Sequence, residues 1–334
     1  MRLLILLVNY HGYDLTVGCL KSLQPELEAL PDAHVGLCDN GSGEKEVERL
    51  AAAVEELGLT ERVALTSIFP NRGFTGGNNE VLRKALVSPN PPEAVLLLNN
   101  DTLVPTGAIQ TLVNFLEQHP DVAVCGSRLE YPDGESQRAA RRTLTFASEL
   151  EAYARIGAVS RLLSRWLIAP PEQNEPHACG WIPGAALMIR REVLEKVGLL
   201  DEDLYTYFDD VDYCLRAKRA GWPTWYVPES RIVHLVGQTT GITATNKRPQ
   251  RRPSYWFWAR RHYFLKNFGP WHATLADMAA IIGLCLWKLR SSAGNDPNPD
   301  PPHLLSDLIR HSVFRTGFCL RPVANPALND EANR

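Results

Sequence analysis

The chain has 334 residues, 45% hydrophobic, 8% aromatic and 22% charged, an ordinary globular make-up long enough for one large α/β domain or two smaller ones. A formal net charge of −3 argues against a nucleic-acid binder, which would be strongly basic. Seven cysteines (Cys19, Cys38, Cys125, Cys179, Cys214, Cys285 and Cys319) are scattered without a C-x-x-C pair and read as reduced thiols of a cytoplasmic protein.

The N-terminal "MRLLILLVNY" carries an apolar run from Leu3 to Val8, shorter than a signal-peptide core and without a small-residue cleavage site. It predicts a buried first strand. A helix is expected from about Asp14 to Leu23, then a strand in "HVGLCDN". "GSGEKEVERLAAAVEEL" reads as a helix with acids in its favourable first turn, "RVALTSIF" as a strand, "GGNNEVLRKAL" as a helix and "EAVLLLNND" as a strand. This βαβαβαβ order predicts right-handed crossovers and a doubly wound sheet.

After Asp101 a helix is expected in "AIQTLVNFLEQH" and a strand in "VAVCGSRLEY", ending at the turn Pro132-Asp133-Gly134. Residues Gln137 to Pro176 show little periodicity and read as a variable, partly helical insertion. "GAALMIRREVLEKVG" predicts a strand entering a helix, "DDVDYCLRAKRAG" a helix closed by Gly221, and "PTWYVP" and "RIVHLVG" two short strands. Between Lys247 and Lys266 stand seven basic residues and no acid, interleaved with six Trp, Tyr and Phe. That mixture suits an anionic membrane surface, or equally a helical cap whose arginines pair with acids elsewhere. A helix is expected near Ala276 to Arg290, a linker in "GNDPNPDPP" and disorder in the last dozen residues. No stretch reaches the roughly 18 apolar residues that span a bilayer, and the run Met278 to Trp287 is too short.

In open parallel sheets, ligands sit at the carboxyl ends of the strands. Asn9, Asp39, the turn Asn71-Arg72-Gly73 and Asp101 all fall at such ends, which together point to a ligand. In "NRGFTGGNN", Gly76 and Gly77 would let backbone approach a ligand, and a helix starting near Asn78 would offer free N–H groups to an anion. The loop is neither G-x-G-x-x-G nor a P-loop. Asp101 beside amide neighbours is a hard-oxygen site for Mg²⁺ or Mn²⁺, with His234 either a second ligand or a core histidine. In "YFDDVD", Asp209 and Asp212 could form a capping box, while the helix dipole would keep Asp210 ionised as a general base requires.

Five stretches, "VNYHGYD", "CDNGSGE", "NRGFTGGNN", "LLLNNDTLV" and the segment from "GAALMIRREVLEKVG" through "YFDDVDYCLRAKRAGW" to a later His, together resemble family 2 glycosyltransferases of the rhamnosyltransferase-like kind. The resemblance covers roughly residues 1–240. It implies the inverting GT-A fold, an α/β architecture with a Rossmann-like, mostly parallel central sheet flanked by helices. Residues 1–103 would be the nucleotide-sugar half, 104–240 the acceptor and catalytic half, and 241–334 a helical extension.

It further implies that Val8, Asn9 and Tyr10 line the nucleotide pocket, with Asp39 on the base or ribose. Asn71, Arg72, Gly76, Gly77, Asn78 and Asn100 would contact the donor. Asp101 stands at the last position of the family's D-x-D metal motif, here Asn99-Asn100-Asp101, which puts more weight on His234 as a metal ligand for Mg²⁺ or Mn²⁺. Asp209 and Asp210 match the family's acidic pair, Asp210 as catalytic base, and Trp181 and Gly184 match the segment bordering the acceptor. The implied partners are a nucleotide-diphosphate sugar, with dTDP-rhamnose favoured over UDP- and GDP-sugars, and a glycan or lipid-linked acceptor. The implied place is the inner face of the plasma membrane, held peripherally. A sugar-phosphate nucleotidyltransferase, whose N-terminal Gly-rich loop is absent after "LLILLVN", and an inactive nucleotide-sugar-binding module are the competing readings.

Overall fold

A computed structural model describes residues 1–235, 249–293 and 300–320. The end of "RIVHLVG", Lys247 and Arg248, most of the Pro-rich linker and the C-terminal tail lie outside the described residues.

In chain order the elements are β1 (Leu3–Asn9), α1 (Tyr13–Ala29), β2 (Ala33–Asn40), α2 (Glu44–Glu56), β3 (Val63–Ile68), α3 (Gly73–Leu86), β4 (Ala94–Asn99), β5 (Thr102–Leu103), α4 (Ala108–Gln118) and β6 (Val124–Glu130). There follow α5 (Phe146–Ala154), α6 (Gly157–Leu162), β7 (His177–Cys179), β8 (Ala186–Arg190), α7 (Arg191–Val197), α8 (Asp209–Arg219), β9 (Thr224–His234), α9 (Ser254–Ala293), α10 (Leu304–His311) and α11 (Val313–Thr316). They divide into two compact units.

The first unit comprises 1–141, 171–205 and 209–239 and holds a nine-stranded sheet in the order β3-β2-β1-β4-β8-β6-β9-β5, with β7 on β9. From β3 to β4 the pairings are parallel, as the strand–helix alternation requires. Beyond β4 the sheet is mixed: β8 is antiparallel to β4 and β6, and β9 is parallel to β6. Aliphatic packing is continuous in the central strands, where Ile5, Leu6, Leu7, Leu96 and Leu98 are fully buried.

Some strand and helix limits differ from the sequence expectation. The expected pair "PTWYVP" and "RIVHLVG" forms one 11-residue strand, β9, whose partner register shifts between Ser127 and Arg128. Helix α1 runs on past Leu23 through Pro25 to Ala29. This extension places Glu26, buried at 1% exposure, where its carboxylate accepts the Gly107, Ile109 and Gln110 amides and caps α4.

The second unit comprises 142–170, 206–208 and 240–334. Its core joins Tyr153 of α5, Phe257, Ala280, Leu284 and Trp287 of α9, and Leu304 and Leu308 of α10. Helix α9 is two helices merged across Gly269, whose φ of 79° and following Pro270 break the run.

The basic-aromatic segment is largely internal. Phe257, Tyr263 and Phe264 are buried, and Arg260 is enclosed between Glu149 at 2.6 Å and Asp277. Arg251 makes a two-pronged contact with Asp307, and Arg252 lies over the Trp256 ring. These rings and arginines build the core of the unit, so their composition alone does not mark a membrane-facing surface.

Candidate active site

The rim of the first unit's sheet gathers the polar ends of its strands. Asn9, at the end of β1, is fully buried; its Nδ2 donates to Asp39 Oδ2 at 2.8 Å and its Oδ1 accepts from the Thr16 hydroxyl at 2.8 Å. Asp39 is equally buried and accepts the Ser42 amide at 3.0 Å, and the Asn100 amide donates to Thr16. Asn9, Asp39 and Asn100 thus belong to one hydrogen-bonded group, and the rings of the neighbouring Tyr10 and His11 stand 4.5 Å apart.

The glycine-rich loop folds back on the same rim. Asn40 Nδ2 donates to Asn71 Oδ1 and the Gly73 carbonyl, while the Arg72 amide donates to Asn40 Oδ1. A side chain at Gly77 would come within 2.8 Å of a Val8 methyl, so glycine is what lets α3 lie this close to β1. The helix, however, starts at Gly73 and not near Asn78. Gly76, Gly77 and Asn78 are therefore inside it, and two of its leading amides are taken: Gly73 N by Asn71 Oδ1 and Thr75 N by the Tyr205 carbonyl. The Arg72 guanidinium meets Glu202 at 2.6 Å and Glu80 at 3.3 Å. Asn78 donates to the Phe74 carbonyl, and its buried Oδ1 has no hydrogen-bond partner among the described residues.

Asp101 and His234 come together through the sheet. The two-residue β5 pairs with β9 so that Thr102 faces His234, and the Leu235 amide donates to the Asp101 carbonyl at 2.9 Å. Asp101 Oδ1 then lies 3.3 Å from His234 Nε2, and the Asn99 amide nitrogen is also 3.3 Å from that nitrogen. Gln137, unmarked in the sequence reading, fixes the ring. Its Nε2 donates to the carbonyls of His234 at 2.7 Å and Glu130 at 3.0 Å, which turns its Oε1 toward His234 Nδ1 at 3.1 Å. Nδ1 must therefore carry the hydrogen, and in the neutral ring the Nε2 lone pair faces Asp101.

A lone pair and a carboxylate at this distance repel unless a proton or a cation lies between them. An imidazole nitrogen and a carboxylate oxygen are ligand atoms that fit Mg²⁺ or Mn²⁺. Because outer partners that orient a ligating histidine typically govern affinity, Gln137→Leu is expected to weaken Mn²⁺ binding about 10–100-fold in an EPR titration. Melting curves run beside it would separate that loss from unfolding.

The acidic stretch resolves residue by residue. Helix α8 starts at Asp209, so Asp209 lies inside the first turn and is not a cap ahead of it. Asp212, fully buried, accepts from Arg216 Nε at 2.7 Å, and Arg216 also donates to the carbonyls of Val197 and Leu199. Asp212, through Arg216, thus ties α8 to the end of α7. Ahead of the helix Tyr205, Tyr207 and Phe208 all have positive φ, on the order of 1–2 kcal/mol of strain each for side chains of this kind.

Asp210 is held by backbone amides. Its Oδ2 accepts the Gly184 amide at 3.1 Å and its Oδ1 the Val211 amide at 2.8 Å. Gly184 stands just ahead of β8, where the Ala185 carbonyl accepts the Asn99 amide, so Asp210 is held at the rim on which β4 delivers Asn99 and Asp101. Burial pushes the Asp210 carboxyl above the usual range, opposed by those two amides and by the positive charge of Arg141.

Arg141 is a second residue that the sequence did not mark. Its backbone bridges Trp181 in both directions at 3.0 Å, and its guanidinium lies 5.1 Å from the centre of the buried Trp181 ring. The Trp181 ring thus packs against Arg141. Replacing Arg141 with Gln removes a charge that favours the Asp210 carboxylate. The acid limb of a pH–rate profile is then expected to move to higher pH, and an unmoved limb would separate the two residues.

The fold and the sequence have relatives. The mixed sheet flanked by helices is that of the mannosyltransferase PcManGT from Pyrobaculum calidifontis, solved with GDP-Man and Mn²⁺, at a TM-score of 0.55, 15% identity and coverage of 100% of this chain and 88% of that one. An N-acetylglucosaminyl-diphospho-decaprenol L-rhamnosyltransferase of Mycobacterium tuberculosis is 28% identical over 207 residues, 59% of this chain and 60% of the relative. The match thus spans about 60% of that relative's length. The dTDP-rhamnosyl transferase RfbF of Shigella flexneri is 30% identical over 80 residues, 24% of this chain and 25% of its own. The family model described as "Glycosyltransferase like family 2" matches residues 4–260, every rim residue named above included, and the chain belongs to that family of GT-A-fold transferases.

Proposed function

We propose that the chain moves rhamnose from dTDP-rhamnose to a hydroxyl of a lipid-linked glycan, with inversion at the anomeric carbon, UDP- and GDP-sugars being the next donors to test. The donor choice is supported by the rhamnosyl transfer named for the mycobacterial and Shigella relatives, and the acceptor class by the decaprenol diphosphate in the former's name. An acceptor of that kind also favours work at the cytoplasmic face of a membrane. Family membership leaves no place for the nucleotidyltransferase reading.

The observation that carries the mechanism is the setting of Asp210. Two amides hold its carboxylate by one lone pair on each oxygen and leave the others for substrate. The acceptor hydroxyl gives its proton to Asp210 as its oxygen bonds to the anomeric carbon and the bond from that carbon to the diphosphate oxygen breaks. One base is sufficient, because inversion needs no covalent sugar–enzyme intermediate. A divalent cation held by Asp101 and His234 would supply charge neutralisation to the departing diphosphate. Asn9, Asp39, Asn100, Tyr10 and Val8, with the Asn71–Asn78 loop, are the proposed donor-binding group.

The test is a screen of nucleotide sugars with a prenyl-diphosphate-linked GlcNAc acceptor, reading nucleoside diphosphate release and the glycolipid formed. Release from dTDP-rhamnose with a rhamnosylated lipid of inverted configuration is expected. Release confined to another donor would overturn the sugar assignment, and retained configuration would overturn the single-base mechanism.

A further inference from the structure

The second half of α9 is apolar on two opposite faces. Ala273, Ala276, Ala280, Leu284 and Trp287 are buried within the second unit. About half a turn round the helix, at 100° per residue, Trp271, Leu275, Met278, Ile282, Leu286 and Leu289 form a continuous stripe. The stripe is exposed: Trp271 at 85%, Ile282 at 47% and Leu289 at 69%. A soluble helix normally turns charge to solvent on that face, and an apolar patch of this length marks an interaction surface.

Charge names the occupant. The described residues of this unit include thirteen Lys and Arg but only five Asp and Glu, against −3 for the whole chain. All five acids, Glu149, Glu151, Asp277, Asp300 and Asp307, are buried. Lys266, Lys288, Arg290, Arg310 and Arg315 are exposed. The described surface of the unit is thus basic with no exposed acid, and the apolar stripe ends beside Lys288 and Arg290.

We propose that this face of α9 lies in the plane of an anionic phospholipid bilayer, its Trp271–Leu289 stripe among the acyl chains and its flanking basic groups on the lipid phosphates. By length and composition the helix is also able to cross a membrane. The in-plane arrangement is the one that keeps the opposite face packed and Asp277 paired with Arg260 and the Val313 amide. A charged pair drawn into hydrocarbon would be far more costly.

The experiment uses the full chain with no donor or acceptor present, so its outcome is independent of the sugar-transfer reading. Flotation with vesicles of phosphatidylcholine containing phosphatidylglycerol is expected to carry the protein up, and pure phosphatidylcholine is expected to carry at least about tenfold less. Ile282→Glu with Leu286→Glu, both at exposed positions, should cut binding about tenfold or more without lowering Tm. Brominated lipid should quench the wild-type fluorescence more than that of Trp271→Phe, and alkaline carbonate should release the protein. Binding that is absent, or unchanged in the double variant, would overturn the proposal. So would resistance to carbonate, which would indicate a span, or a dimer that the double variant converts to monomers, which would make a second copy the occupant.

Discussion

Asp210→Asn is expected to lower sugar transfer on the order of 10²–10⁴-fold, the usual worth of a positioned general base. Donor affinity should be roughly unchanged, since the described partners of the Asp210 carboxylate, the Gly184 and Val211 amides, lie outside the proposed donor group. Asn can take one of the two amides on its oxygen, but its NH₂ then faces the other donor, so the α8 entry loosens a little. Asp210→Glu provides the complementary measurement: it keeps the charge but moves it by a methylene, and should also fall steeply. Comparing kcat with donor Kd from calorimetry separates the roles. Transfer at the normal rate by Asp210→Asn would remove this residue from the mechanism, and a matching loss of donor binding would make it a donor ligand.

A pH profile tests the same assignment from another direction. Burial raises the carboxyl of Asp210, so the active, ionised form is lost on acidification at a pH above the ordinary carboxylate range. The acid limb of kcat/KM should vanish in Asp210→Asn.

Much of the first unit was legible because its signals are strong and local. Continuous apolar runs such as "LLILLVN" have one stable solution, a strand covered on both faces, and polar residues that interrupt them fall at strand ends by necessity. The approach of His234 to Asp101 could not be read that way. It depends on β5, two residues long and too short for any periodic signal, pairing with β9. Gln137 and Arg141 were hidden for a related reason: they sit in a stretch without periodicity, and their roles come from partners distant in the chain, His234 and Trp181.

For the basic-aromatic segment the sequence left a membrane-facing surface and an arginine-paired helical cap equally open, and the pairing of Arg251 and Arg260 with acids fits the cap. Composition counts rings and guanidinium groups but does not say which way they face, and Arg260, Tyr263 and Phe264 turn inward. The apolar stripe was overlooked because α9 is hydrophobic on both sides, which erases the amphipathic pattern by which one face is usually recognised.

Arg260 carries the second large expectation. Arg260 is 3% exposed, and its guanidinium donates to Glu149 Oε2 at 2.6 Å and to the Ala276 carbonyl at 3.0 Å, and also meets Asp277. Arg260→Met is expected to destabilise the second unit by about 3–5 kcal/mol, because it leaves two buried carboxylates without their cation. For a unit of this size, at about 4–8 °C per kcal/mol, that is a fall in Tm of roughly 12–40 °C. Burial already holds the Glu149 carboxyl above its ordinary range even with Arg260 beside it, and without that charge it must rise further. A carboxyl whose pKa is higher folded than unfolded binds more protons in the folded state, so acidification favours folding. The Tm deficit of Arg260→Met should therefore be largest at neutral pH and shrink as pH falls toward the ordinary Glu range. Adding Glu149→Gln to Arg260→Met should recover part of the loss at neutral pH, where it removes one of the stranded charges. A deficit that is independent of pH, with no recovery in the double variant, would mean that Arg260 acts through packing alone and that the buried charges do not hold α5 to α9.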